Sequence, residues 1–227
     1  MKNRCDKLQT VGAYILSAIE TYQREQNSVQ LLAVSKHHPA TAIREVFACG
    51  QLAFGENYAQ EMLEKAEQLS DLEIEWHFIG PLQSNKTRPI AAVADWVHAV
   101  DRLKIARRLS DQRPDDLPPL FICLQVNISE EESKSGVLPN EVLALAKQVA
   151  TLPKIKLRGL MAIPKAEIDF NKQREIFAKL RGLQEELIKE GMQLDTLSMG
   201  MSADMPAAIA EGATIVRIGT AIFGTRI

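Results

Sequence analysis

The stretch Leu31-Leu32-Ala33-Val34-Ser35-Lys36-His37-His38-Pro39 decides between two folds. Leu31–Ser35 reads as a short buried strand, and Pro39 opens a helical pattern. An open, doubly wound sheet normally places a glycine-rich turn after its first strand. Here the turn is Ser35-Lys36-His37-His38, without a glycine. That favours a closed barrel, provided the same unit recurs.

It does recur. Short apolar runs follow at Ala53–Gly55, Ile74–Ile79, Trp96–Val100, Leu120–Val126, Leu157–Ile163, Thr196–Met199 and Ile215–Ile218. Helical stretches begin near Pro39, Tyr58, Asn85, Arg102, Pro139, Phe170 and Met205, and the last run leads into a short tail. Strand–helix alternation implies a parallel sheet with helices outside it, and eight units imply a single (β/α)8 barrel spanning 1–227. An extra N-terminal helix precedes the first strand, at about Lys2 to Gln26. Its Leu8, Val11, Ile15, Ile19 and Tyr22 recur at helical steps, and it is expected to plug the barrel's bottom.

Composition removes several classes of function. The chain has 227 residues, 46% hydrophobic and 25% charged, with a net charge of −2. Nothing in that balance suggests nucleic acid or an anionic membrane as partner. No apolar run approaches the ~20 residues that span a bilayer, and Met1 to Lys7 is polar with no signal-like apolar segment after it. Cys5, Cys49 and Cys123 are far apart and odd in number, which argues against a disulfide framework and reads as three reduced, buried thiols. The four histidines show no metal-binding spacing. A cytoplasmic, soluble protein, expected as a monomer, fits all of this.

In such barrels the chemistry sits at the C-terminal ends of the strands. Period-two alternation puts Leu32, Val34 and Lys36 on one face. If that face lines the barrel, the Lys36 amine is partly desolvated and competent for Schiff-base formation. The alternative is a lysine reaching out to water, and the strand alone leaves both open. In Thr214–Gly219, alternation groups Ile215, Arg217 and Gly219, so Arg217 enters the barrel and must be paired or face a ligand. The competing reading is an ion pair with Glu56 or Asp101.

Two loops of phosphate-binding type follow strands seven and eight, the usual anion site of these barrels. The first is SMGMSAD, Ser198–Asp204, where Ser202 can cap the next helix. The second is RIGTAIFG, Arg217–Gly224, where Gly219 admits a close ligand and Thr220 offers a hydroxyl and an N–H. An amine, a cation for a ring nitrogen and a phosphate cradle match the three groups of pyridoxal 5′-phosphate. A class I aldolase places a lysine and a phosphate site in a similar way, so the constellation alone leaves the ligand open. The run Glu130-Glu131-Glu132 reads as a solvated loop.

Motifs along the whole chain carry a resemblance. They are AVSKHHP at Ala33–Pro39, FGENYAQE at Phe54–Glu61, WHFIGPLQSNK at Trp76–Lys86 and LQVNISEEESKSG at Leu124–Gly136. GLMAIP at Gly159–Pro164, LSMGMSADMPAAI at Leu197–Ile209 and VRIGTAIFG at Val216–Gly224 complete the set. In order and spacing the chain resembles the pyridoxal-phosphate homeostasis proteins (the YggS-like family), which share the alanine-racemase N-terminal-domain barrel of fold type III. The resemblance implies that Lys36 holds pyridoxal 5′-phosphate as a Schiff base and that Arg217 faces the pyridine nitrogen. It implies that Ser202, Gly219 and Thr220 hold the phosphate and that Asn57 contacts the cofactor, with His77 and Met161 near the ring. Alanine racemases add a second domain and a catalytic tyrosine from a neighbouring subunit; this chain stops at Ile227 and has Tyr14, Tyr22 and Tyr58. The expected function is therefore non-catalytic binding of the cofactor in vitamin B6 homeostasis, with amino acids or cofactor-accepting proteins as recipients. The alternatives are an amino-acid racemase, or a regulatory module whose occupancy a protein partner reads.

Overall fold

The computed structural model describes residues 3–131 and 134–225. Eight parallel strands close into one barrel in sequence order: β1 Gln30–Val34, β2 Ala53–Glu56, β3 Glu75–Phe78, β4 Trp96–Val100, β5 Leu120–Gln125, β6 Ile155–Met161, β7 Thr196–Ser198 and β8 Ile215–Ile218. β1 pairs with β8 and shuts the ring. The helices are α1 Arg4–Thr21, α2 Ala40–Ala48, α3 Ala59–Gln68, α4 Thr87–Val93, α5 Leu103–Gln112, α6 Val142–Val149, α7 Phe170–Lys189, α8 Met205–Ala210 and α9 Thr220–Phe223. The strand runs seen in the sequence are all present. β6 starts two residues earlier than its apolar run, because Ile155 and Lys156 pair with Leu120 and Phe121.

Alternation sorts the side chains into two layers. Ala33, Phe54, Phe78, Val97, Leu160, Val216 and Ile218 belong to the large core between sheet and helices. Leu32, Val34, Ala53, Ile79 and Ile215 form one cluster within the barrel, and Trp96, Ala99, Cys123 and Met161 form another. Asn3 and Asp6 cap α1 reciprocally, and Asp169 accepts from Lys172 N at the start of α7. Among the described residues, no helix is long and apolar enough to cross a membrane.

Two expectations need correction. Helix α1 does not plug the barrel's bottom; it packs in the outer layer against α2, α8 and α9. Arg24, just beyond it, donates to Ile209 O at 2.8 Å and Ala213 O at 3.3 Å. At the bottom, Trp96 and Phe121 pack ring to ring with Arg158 over both. The cysteines also differ from the reading of three reduced, buried thiols. Cys5 and Cys49 form a disulfide with Cα atoms 5.6 Å apart, and only Cys123 is a buried free thiol among the described residues. A sequence separation of 44 says nothing of distance once α1 lies along α2. The Arg4–Glu45 ion pair stands beside the bridge. Of the acidic run, Glu132 lies outside the described residues, and Glu131 pairs with Lys134 at 2.9 Å.

Candidate functional site

A cavity of about 340 Å³ opens where β1, β2, β7 and β8 end. Its lining includes all six candidates from the sequence: Lys36, Asn57, Ser202, Arg217, Gly219 and Thr220. Val34, Ile79 and Ile163 supply apolar wall. That volume and this mixture of apolar wall with a few polar groups are typical of small-molecule sites, about 300–1,000 Å³.

Lys36 stands on a rigid strand end. The residue before it, Ser35, gives its N–H to Gly55 O at 3.0 Å and its hydroxyl to Glu56 Oε1 at 2.6 Å. Its carbonyl accepts from Lys65 Nζ at 3.0 Å. Lys65 also bonds Glu56 at 2.7 Å and Glu61 at 2.9 Å, a largely buried cluster beneath the turn. Burial raises the Glu56 pKa, against the attraction of Lys65. His37 follows with φ of 64°, a left-handed conformation unusual outside glycine. Its N–H donates to Glu61 Oε2 at 2.8 Å, so a hydrogen bond stabilises the turn where no glycine does.

Arg217 is buried at 4% exposure. It donates to Ser198 O at 2.5 Å, Ser198 Oγ at 2.7 Å and Ala162 O at 2.8 Å. The alternation reading is right that it enters the barrel. Its hydrogen-bond partners are these neutral acceptors, not Glu56 or Asp101. Burial pushes its pKa down to about 10, with Asp204 acting in the opposite direction, so it remains a cation at neutral pH.

Asn57 follows β2, and its position depends on Gly80. A Cβ at Gly80 would come within 2.0 Å of Asn57 O, so only glycine lets the two strand ends approach. Asn57 Oδ1 is buried and has no hydrogen-bond partner among the described residues. A buried, unpaired amide oxygen beside a cavity marks a place for a ligand donor. Gly219 lies against Val34, where a Cβ would meet Val34 O at 3.1 Å. Thr220 opens α9, and the first turn of a helix presents N–H groups with no intrahelical acceptor.

Ser202 corrects one expectation. It lines the cavity but does not cap α8, whose N-cap residue is Asp204. Asp204 Oδ1 instead accepts from Met201 N at 2.6 Å and folds the loop back. His77 and Met161 are fully buried in the barrel and do not line the cavity. The sequence reading overlooked Ser198 and His98 as neighbours of Arg217. Both sit at strand positions it had marked, but contact across strands needs the sheet register.

The fit to pyridoxal 5′-phosphate is chemical. The cavity offers a primary amine, a guanidinium, an unpaired amide oxygen and a loop with hydroxyls and a helix start, one group for each polar part of that molecule. Comparison with known proteins points the same way. Residues 16–227 match the model of the alanine racemase N-terminal domain. A pyridoxal phosphate homeostasis protein of Pseudomonas aeruginosa is 56% identical, covering 100% of this chain and 97% of its own. One from Escherichia coli K12 is 49% identical, covering 100% and 98%. The solved structure of PipY from Synechococcus elongatus PCC7942, with PLP bound, is 38% identical, with a TM-score of 0.86 over 98% of this chain and 100% of that one. A Clostridium difficile alanine racemase shares the fold, with 12% identity and a TM-score of 0.74 over 92% of this chain and 55% of that one.

Proposed function

The chain belongs to the pyridoxal phosphate homeostasis proteins of the alanine racemase N-terminal-domain family, and from that premise we propose that it binds pyridoxal 5′-phosphate and holds it without catalytic turnover. The observation that carries the reading is the single cavity shared by Lys36, Asn57, Arg217, Ser202, Gly219 and Thr220. The bound cofactor supplies an aldehyde that bonds reversibly to amines and a ring that withdraws electrons when its nitrogen is protonated.

The chain's residues favour the first property over the second. Lys36 gives the amine for covalent attachment. Arg217 donates to the ring nitrogen but holds its proton too tightly to transfer it, so the ring stays a weak electron sink. Holding and releasing the aldehyde needs no such sink; amino acids or cofactor-accepting proteins are the recipients. Asn57 meets its missing partner in the ligand, and the loops at Ser202 and at Gly219–Thr220 take the phosphate.

Borohydride reduction followed by mass mapping tests the reading. The expected adduct is a phosphopyridoxyl group on Lys36, whereas a sugar fragment there would make the chain an aldolase. The second arm incubates the loaded protein with chiral amino acids in heavy water. Exchange of the α-proton no faster than with free cofactor is expected; faster exchange would favour a racemase.

A further inference from the structure

A line of hydrogen bonds runs from Arg217 through Ser198 and His98 to His77, and ends on a looser contact with Glu75 at the barrel's opposite face, where His77 Nε2 has no hydrogen-bond partner among the described residues. Arg217 Nη1 donates to Ser198 Oγ at 2.7 Å. Ser198 Oγ lies 2.8 Å from His98 Nδ1, and His98 Nε2 lies 2.9 Å from His77 Nδ1. His77 Nε2 sits 3.4 Å from Glu75 Oε1. Ser198, His98 and His77 are fully buried, while the Glu75 side chain is 36% exposed at the rim. Trp96 Nε1 also donates to Glu75 Oε1 at 2.7 Å, and Gln30 Nε2 to Glu75 Oε2 at 3.1 Å.

The ends of this chain set the direction of every link. A guanidinium only donates, so the Ser198 oxygen accepts there and its own proton is free to go to His98 Nδ1. His98 stays neutral, because burial, then His77 and Arg217, push its pKa well down. A neutral ring accepting at Nδ1 carries its hydrogen on Nε2, and His98 therefore donates to His77 Nδ1. His77 in turn carries its hydrogen on Nε2, facing the Glu75 carboxylate. At 3.4 Å that last link is a ring dipole held by a charge, weaker than a full hydrogen bond. The neighbouring His77, then the bonds from Trp96 and Gln30, hold the Glu75 pKa below its usual value against burial and keep the terminal charge in place.

We propose that Glu75 is a positioning residue for the ligand pocket, orienting Arg217 from the far face of the barrel through His77, His98 and Ser198. The inference rests on the reading that Arg217 faces a pyridoxal 5′-phosphate ring. The line is a polarised support and does not conduct protons, because its Arg217 end never accepts one. The reverse polarity fails at the Glu75 end. With its hydrogen on Nδ1, His98 would donate to Ser198 Oγ and accept from His77 Nδ1–H, but the bare His77 Nε2 would then face the Glu75 carboxylate, two acceptors opposed at 3.4 Å. The carboxylate at the end selects the polarity that works. It thereby places the acceptor charge of the line outside the cavity.

The test has two arms. Long-range proton–nitrogen spectra of the ligand-free protein at neutral pH report the tautomer of each ring. Nε2–H in both His77 and His98 is expected, and in Ser198→Ala the His98 ring should lose that single tautomer. An Nδ1–H or doubly protonated His98 in the unsubstituted protein overturns the inference with no ligand present. The second arm titrates pyridoxal 5′-phosphate into Glu75→Gln, which keeps the shape and removes the charge, with folding checked by circular dichroism. A loss of affinity of about threefold or more, with a moved visible band, is expected when the charged acceptor goes. Unchanged affinity and band in a folded Glu75→Gln overturn the positioning role. If the unsubstituted protein takes up no cofactor, the proposed function fails instead, and the tautomer arm still decides whether the line exists.

Discussion

Two arginines stand at opposite ends of the barrel, and they are held in opposite ways. Arg158, at the bottom, bonds Asp195 through Nε at 2.8 Å and Nη2 at 2.5 Å. It also lies over the rings of Trp96 and Phe121, 5.2 Å and 4.7 Å from their centres. Arg217, near the mouth, donates only to carbonyls and a serine hydroxyl and lines the cavity. The residue type is the same and only the acceptors differ. A carboxylate in direct contact neutralises Arg158 and makes it part of the architecture. Neutral acceptors hold Arg217 in place and leave its charge available to a ligand. An arginine in a barrel is therefore no ligand signal by itself; its acceptors decide.

The largest expected effect removes the pocket's reactive group. In Lys36→Ala the visible absorbance of the cofactor-loaded protein should vanish, while Arg158→Met should keep it, as read by spectra of the two proteins side by side. Arg217→Met comes next. Losing charged hydrogen bonds to the ligand should weaken binding about tenfold to a hundredfold, or about 1.4–3 kcal/mol. Stability should fall as well, by about 1–3 kcal/mol, because the buried acceptors Ser198 O, Ser198 Oγ and Ala162 O lose their donor. Arg158→Met should differ in affinity. Loss of the ion pair and ring contacts should cost about 1–2 kcal/mol of stability by urea unfolding, with affinity unchanged. If both substitutions lowered affinity alike, the contrast between the two ends would be gone.

The barrel was legible because each strand–helix unit is a local pattern and eight of them leave a closed ring as the simplest arrangement. Lys36 and Arg217 were legible because alternation in a short strand assigns a face without knowledge of the partner strand. Two features were hidden for one shared reason: each depends on contacts between distant segments. The Cys5–Cys49 bridge depends on how α1 lies along α2. The order Arg217–Ser198–His98–His77 depends on the register of β8, β7, β4 and β3, although a histidine amid apolar strand residues was a visible hint at both 77 and 98. The capping role expected of Ser202 is absent for a local reason. Asp204 takes the N-cap position without a side-chain cap bond, and its carboxylate accepts from Met201 N in the loop instead.

The smallest expected effect titrates the lower arginine's partner instead of removing it. Burial alone would raise the Asp195 pKa, but the bonds from Arg158 and Thr196 prevail and hold it below the usual carboxylate value. A depressed pKa contributes stability that is present above the unfolded-state value, about 3.9, and is lost as pH falls through the lower native value. The Asp195 side chain is 57% exposed, so solvent screens the pair and the effect is modest. The stability gap between the unsubstituted protein and Arg158→Met should therefore be full at neutral pH and shrink at pH of about 3, below the unfolded-state value. Urea unfolding at both pH values measures it. A gap of the same size at low pH would mean that the rings of Trp96 and Phe121, not the carboxylate, hold Arg158. The direct counter-charge would then no longer be what separates the two ends of the barrel.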